Sequence, residues 1–209
     1  MINLGIDEAG RGPLIGPMVI AGVSFRDSDK IILKRIGVKD SKLLSPSSRT
    51  RLFEEILKIC LSYIIFKIKP KEIDEAIESG VKITGLEAKY IAKIIDSIEC
   101  DVVYIDSPTN NPEKFKNLIE KLIKSKPKIV CETKADYKYL EVSAASIIAK
   151  VVRDKEIEEL HKKYGYFGSG YPGDPITIEF INKHNEILNS DDVRKSWITV
   201  KKFKNKKLF

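Results

Sequence analysis

Three acidic clusters follow apolar runs in this 209-residue chain: Gly5-Ile6-Asp7-Glu8, Tyr104-Ile105-Asp106, and Lys134-Ala135-Asp136 shortly after Ile129-Val130-Cys131. Acids at the ends of strands meet in space when those strands are neighbours. Four carboxylates brought together raise one another's pKa, so something positive must keep them ionised. No His or Cys stands beside them in sequence, and the expected counter-ion is a hard, oxygen-loving cation, Mg²⁺ or Mn²⁺. Two such ions, roughly 3.5–4 Å apart, can hold an attacking water and a leaving oxygen in line. The reaction this suits is phosphodiester hydrolysis. Taken singly, each acid reads as a solvated loop residue, and Asp106 before Ser107-Pro108 as the start of a turn. Asp7-Glu8 is harder to explain that way, because two adjacent carboxylates at the end of a core strand repel with no structural return. Successive strand residues point to opposite faces, so for both to serve one site the backbone must turn at Glu8, which the following glycines permit.

That glycine turn, Gly10-x-Gly12-x-x-x-Gly16, resembles a dinucleotide-binding loop only superficially. The nucleotide motif needs a strand before and a helix after, whereas here Pro13 and Pro17 intervene and a strand follows. A turn that lets backbone groups approach a sugar-phosphate chain fits better. Lys and Arg number 37 against 30 Asp and Glu, a formal charge of +7. The excess suits a polyanionic partner such as nucleic acid, and equally simple solubility. Cys60, Cys100 and Cys131 form no CxxC or zinc spacing and read as ordinary buried residues.

The elements that must position these residues follow from periodicity and punctuation. Met1 to Ile6 and Met18 to Phe25 read as strands of a hairpin with a long turn. Ser45 is a helix N-cap with Pro46 at the first helical position, and Leu61 to Ile68 is a third strand. Helices are expected over 70–79 and 85–98, a buried strand over 101–105, a helix over 112–124, a strand over 128–131 and a long helix over 140–164. A glycine-rich loop spans 165–174 and a helix 175–188. Early antiparallel strands followed by strands alternating with helices predict an α/β fold, a mixed five-stranded sheet with helices on both faces. The one soft boundary lies near Gly165, giving a core over 1–164 and a small C-terminal helical appendage over 165–209, or a single domain over 1–209. With 43% hydrophobic residues the chain can bury a sizeable core, and no apolar run reaches the roughly 18 residues needed to span a bilayer. Asp7 and Glu8 stand where a signal peptide would be apolar, so a cytoplasmic protein is expected.

Six blocks carry a closer resemblance: DEAGRGPLIGP at 7–17, DSKLLS at 40–45, YIDSP at 104–108, KAD at 134–136, SAASIIAKVVRD at 143–154 and GSGYPGD at 168–174. In this order they resemble ribonuclease HII, with the GSGYP form similar to its archaeal members. The resemblance implies a ribonuclease H-like fold and an endonuclease that cuts RNA in RNA–DNA hybrids. It also implies incision 5′ to single ribonucleotides embedded in duplex DNA, leaving 3′-hydroxyl and 5′-phosphate. By motif position, Asp7, Glu8, Asp106 and Asp136 would be the catalytic, metal-binding carboxylates. Gly10, Arg11 and Gly12 match the loop that reads the 2′-hydroxyl, the group that distinguishes RNA from DNA. Tyr171 matches a tyrosine that stacks on the sugar after the ribonucleotide, although its ring alone reads as core. Lys42 is a candidate phosphate contact or a solvated loop lysine. Ser143 and Ser146 line the site or allow close helix packing, with packing favoured for Ser146.

Three rivals stand beside this reading: a junction resolvase-like nuclease of the same fold, a non-catalytic hybrid-binding protein and, least favoured, a nucleotide-cofactor enzyme. The last nine residues hold five lysines and no acid. They read as a solvated end, with a weak likeness to a sliding-clamp-binding tail in Leu208-Phe209 that lacks the usual Gln. No long apolar heptad points to assembly, so a monomer without a membrane partner is expected.

Overall fold

The computed structural model describes residues 1–38 and 44–205. Lys42 and the end of the basic tail lie outside them. Five strands form one sheet in the order β3-β2-β1-β4-β5: β1 (Ile2–Ala9), β2 (Met18–Arg26), β3 (Ser62–Ile68), β4 (Val102–Asp106) and β5 (Lys128–Glu132). Strands β1 and β2 pair antiparallel, while β1 with β4 and β4 with β5 are parallel. The sheet is mixed, as the sequence predicts. Eight α-helices accompany it among the described residues: α1 (Lys30–Ile36), α2 (Pro46–Ile59), α3 (Pro70–Glu78), α4 (Ile83–Ser97), α5 (Pro112–Glu120), α6 (Leu140–Tyr164), α7 (Pro175–Lys183) and α8 (Ile198–Asn205).

Contacts divide the chain into two compact units. The first comprises residues 1–9, 19–66 and 84–151. Its core lies on the two faces of the sheet, and two glycines record how closely helices approach. A Cβ on Gly5 would lie 2.1 Å from the Glu141 carbonyl carbon at the start of α6, and one on Gly22 would lie 2.4 Å from the Ile94 side chain of α4. Gly5 pairs with Val23 and Gly22 with Ile6, so the two glycines belong to opposite faces and the helices cover both. Leu4, Ile6, Val103 and Ile105, all fully buried, share the α4 side by register. Because Gly5 meets backbone rather than a flexible side chain, Gly5→Ala should cost about 3 kcal/mol or more. Thermal denaturation should read this as a fall in Tm of about 6–12 °C.

The second unit comprises residues 10–18, 67–83 and the chain from Val152 onward. It has its own apolar centre, including Leu14, Ile15, Ile157, Phe167, Ile181 and Val193. A single bridge pairs Ile15 with Val193, and the buried Asp74 of α3 accepts the backbone N–H groups of Lys195 and Ser196 at 2.8 and 2.9 Å. The break expected at Gly165 falls inside this unit. Four elements differ from expectation: β1 continues through Asp7, Glu8 and Ala9; the short α1 stands where the sequence shows no element; the helix expected over 112–124 stops at Glu120; and the helix expected over 175–188 stops at Lys183, followed by a 3₁₀ turn over Asn185–Asn189. The three cysteines are free and half-buried, and burial pushes the Cys100 and Cys131 thiols up to about 11.

Candidate active site

The carboxyl ends of β1, β4 and β5 lie side by side because the three strands run parallel. Register pairs Ile6 with Ile105, and Asp106 with Glu132, so Asp7 and Asp106 each stand one step further along neighbouring strands. Both belong to the face of Gly5 and Tyr104, the side that α6 covers. Beyond β5 the chain turns through Lys134 into a 3₁₀ turn, Ala135–Tyr137, which carries Asp136. The Ala135 N–H donates to Asp106 Oδ1 at 2.7 Å, tying this turn to the end of β4. From α6 the Ser143 hydroxyl donates to the Asp136 carbonyl.

Asp7 and Asp136 are buried, at 6% and 2% exposure. Burial, and then the negative charge of Asp106, push the Asp7 carboxyl up to about 8, with Asp136 adding to the rise. The Ser146 hydroxyl and the Glu8 N–H both donate to Asp7 and oppose the shift. Of the two roles the sequence leaves open for Ser146, lining the site or allowing close packing, the less favoured one is present: its side chain hydrogen-bonds Asp7. The turn expected at Glu8 is corrected. Glu8 remains in the strand, paired with Ile20, and its backbone N–H reaches Asp7 Oδ1 at 2.7 Å. The chain turns only after Ala9, where Gly10 takes φ +78°. Among the described residues no three Asp, Glu, His or Cys side chains close into a ready-made metal cage. Asp106 and Asp136 both act on Asp7 through charge, and an all-oxygen donor set of this charge fits a hard divalent cation.

In the second unit, the glycine turn and Tyr171 are neighbours. A Cβ on Gly12 would lie 3.7 Å from the Tyr171 ring, and the Leu14 N–H donates to the Gly170 carbonyl at 2.7 Å. Two buried arginines that sequence reasoning passed over build this region. The Arg194 guanidinium donates to the carbonyls of Gly10, Arg11 and Gly16 at 2.5, 2.6 and 3.1 Å. Arg153 of α6 lies directly behind Gly10, where a Cβ would come within 2.3 Å of its Nε. Its guanidinium carbon is 5.1 Å from the centre of the Tyr171 ring, and its Nη2 donates to the Ser169 carbonyl at 3.1 Å. Burial lowers the Arg153 pKa. Tyr171 itself is 37% exposed, so its ring is a supported surface platform and not core.

A family model described as Ribonuclease HII matches residues 4–200. The chain belongs to the ribonuclease HII family. A ribonuclease HII of Thermococcus sibiricus is 45% identical over 206 residues, covering 97% of this chain and 91% of that protein. The crystal structure of the ribonuclease H2 from Pyrococcus horikoshii OT3 matches with a TM-score of 0.91 at 42% identity, over 99% of this chain and 98% of that one. The ribonuclease HII of Archaeoglobus fulgidus, whose structure is that of a PCNA:RNase HII complex, matches with a TM-score of 0.85 at 42% identity, over 94% of this chain and 95% of that one. The protein is therefore a ribonuclease H, a nuclease acting on the RNA strand of RNA–DNA hybrids, with the α/β fold expected from its sequence. The binding-only reading falls away. No helix among the described residues is long and apolar enough to cross a membrane.

Proposed function

We propose that Asp7, Asp106 and Asp136 form the hydrolytic centre, joined by Glu8, which as the next residue of β1 approaches from a different side than Asp7, and that the enzyme incises duplex DNA 5′ to a single embedded ribonucleotide as well as cutting longer hybrids. The observation that carries this reading is the electrostatic coupling of Asp7 to Asp106 and Asp136, three acids delivered by separate elements. Two divalent ions, Mg²⁺ or Mn²⁺, held by these carboxylates would supply Lewis acidity and charge neutralisation at the scissile phosphate. The chain's own residues set the geometry. Ser146 and the Glu8 N–H donate to Asp7 and favour its ionised form against the burial and the Asp106 charge that disfavour it, the Ala135 N–H fixes Asp106, and Ser143 fixes the backbone of Asp136. Burial of Asp7 and Asp136 keeps bulk water away from them, which strengthens every charge interaction there. The products are a 3′-hydroxyl and a 5′-phosphate.

Gly10, Arg11 and Gly12 would read the 2′-hydroxyl, with Gly12 leaving the Tyr171 ring uncovered for a sugar to pack on. Lys42 would add a phosphate contact. The enzyme would act as a cytoplasmic monomer in ribonucleotide repair, with the basic tail as the segment available to a sliding clamp, as the PCNA complex of the Archaeoglobus fulgidus relative illustrates.

Three substrates test the reading: a duplex with one ribonucleotide, its all-DNA twin and a four-way junction. Wild type should cut only the first, at the 5′ side of the ribonucleotide, and cutting of the junction alone would reject the proposal. Tyr171→Ala should lower kcat/KM on the single-ribonucleotide duplex by about 10- to 100-fold, the scale of one lost stacking contact. It should leave the fold intact, because the ring is partly exposed.

A further inference from the structure

We infer that Lys134 is a substrate-binding residue, an ammonium held at the rim of the acid cluster to contact a backbone phosphate of the hybrid. The inference rests on the placement of the hydrolytic centre at Asp106 and Asp136. Among the described residues Lys134 is the only non-glycine residue with positive φ, at +57°. Glycine adopts that conformation without steric cost, whereas an L-residue crowds its own carbonyl. The turn is over-determined by its surroundings. The Ala135 N–H donates to Asp106 Oδ1 at 2.7 Å, the Tyr137 N–H donates to the Lys134 carbonyl at 3.2 Å, and the Lys138 and Tyr139 N–H groups both donate to the Ala135 carbonyl. These bonds need the backbone of residue 134 and nothing from its side chain.

The side chain, meanwhile, is exposed, and no carboxylate among the described residues pairs with it. The neighbouring Lys138, by contrast, is paired with Glu132. A strained position filled by a residue that does no structural work there points to work done elsewhere. Its place in the chain says where. Lys134 is two residues before Asp136 and directly before the N–H that holds Asp106. A cation at that point attracts the polyanion toward the acids without neutralising them through a direct ion pair, and a lysine ammonium suits a phosphate oxygen as a point charge.

Equilibrium binding to an RNA–DNA hybrid in Ca²⁺, over a salt series, tests this with Lys134→Gly, Lys134→Arg and a control, Lys128→Ala, which removes an equal charge at the opposite end of β5. Lys134→Gly should weaken binding about fivefold to tenfold and flatten the slope of log K against log salt by about 0.7–0.9, the signature of one lost phosphate contact. Its Tm should hold or rise, because glycine suits the turn. Lys134→Arg should bind within about twofold of wild type. Unchanged affinity and slope in Lys134→Gly, an equal loss in Lys128→Ala, or a lowered Tm in Lys134→Gly would each overturn the inference. Cleavage by Asp136→Asn, measured alongside, separates the two levels. If it still cuts, the placement of the centre fails. If it is dead while Lys134→Gly binds as wild type, only the role of the lysine fails.

Discussion

Asp7→Asn should abolish cleavage, by at least about a thousandfold in kcat, while hybrid binding in Ca²⁺ stays near wild type. The amide keeps the shape of the carboxyl and its acceptor oxygen for the Glu8 N–H, but it carries no charge for a cation. The same substitution should alter stability in a direction opposite to most core changes. In the fold the Asp7 pKa lies near 8 against 3.8 for an ordinary Asp, so between about pH 4 and 8 the folded state holds a proton that the unfolded state has lost. Stability in metal-free buffer therefore falls as pH rises through that window, by up to about 1.4 kcal/mol per pH unit from this group. Below pH 4 both states are protonated and the contribution is flat. In Asp7→Asn this component vanishes, so the variant should melt at the wild-type temperature near pH 4 and above it at pH 8 to 9. Divalent ions bind the ionised form, so Mg²⁺ should raise the wild-type Tm more at pH 9 than at pH 6, and should raise that of the variant little at either. Thermal melts across pH, with and without Mg²⁺, read all of these. A variant that melts below wild type at pH 9 would contradict the burial of a repelled charge.

The second large effect belongs to Arg194. Its guanidinium is fully buried and donates to three carbonyls of the 10–16 turn. Arg194→Ala leaves those carbonyls without their donor and opens a cavity beside Trp197, whose ring lies 5.1 Å from the guanidinium carbon. The cost should be about 3–5 kcal/mol, a fall in Tm of about 6–20 °C. Arg194→Lys should recover less than half of it, because an ammonium cannot fork across carbonyls spread over residues 10 to 16. Hybrid cleavage measured well below the melting temperature should also drop, since the turn that would read the 2′-hydroxyl loses its support. A Lys variant as stable as wild type would show that charge alone, and not the planar fork, holds the turn.

The parts of this molecule legible in its sequence are those set by local rules. Four helices begin at a proline, Pro46, Pro70, Pro112 and Pro175, and each start was readable because proline at the first helical position sacrifices no hydrogen bond. The long α6 was legible at both ends, from Leu140 to Tyr164. The acids were legible because a charge directly after an apolar run is conspicuous. Illegibility begins where a partner is distant. Strand β1 runs to Ala9, yet the sequence alone points to an end at Ile6, because Asp7 and Glu8 look like a strand end when the pairing with Ala21 and Ile20 is not visible. Arg194 looks like one more cation in a polar stretch, since its acceptors lie 178 to 184 residues away. Ser146 looks like a spacer until Asp7, far earlier in the chain, is found facing it. The short α1, closed by Gly37 at φ 90°, offered too few turns for a period to show.

The parallel pairing of β1 with β4 joins Asn3 to Val102 and Ile6 to Ile105, a separation of 99 residues. Such long-range pairings form slowly. A chain still emerging from the ribosome therefore carries Asp7 long before the charges that act on it, Asp106 and Asp136, have been synthesised. The helix that offers Ser143 and Ser146 comes later still. If the proposed centre is right, nascent and prematurely terminated chains hold the glycine turn and the first two acids but no assembled centre, and hybrid cleavage should be absent from chains that stop short of α6.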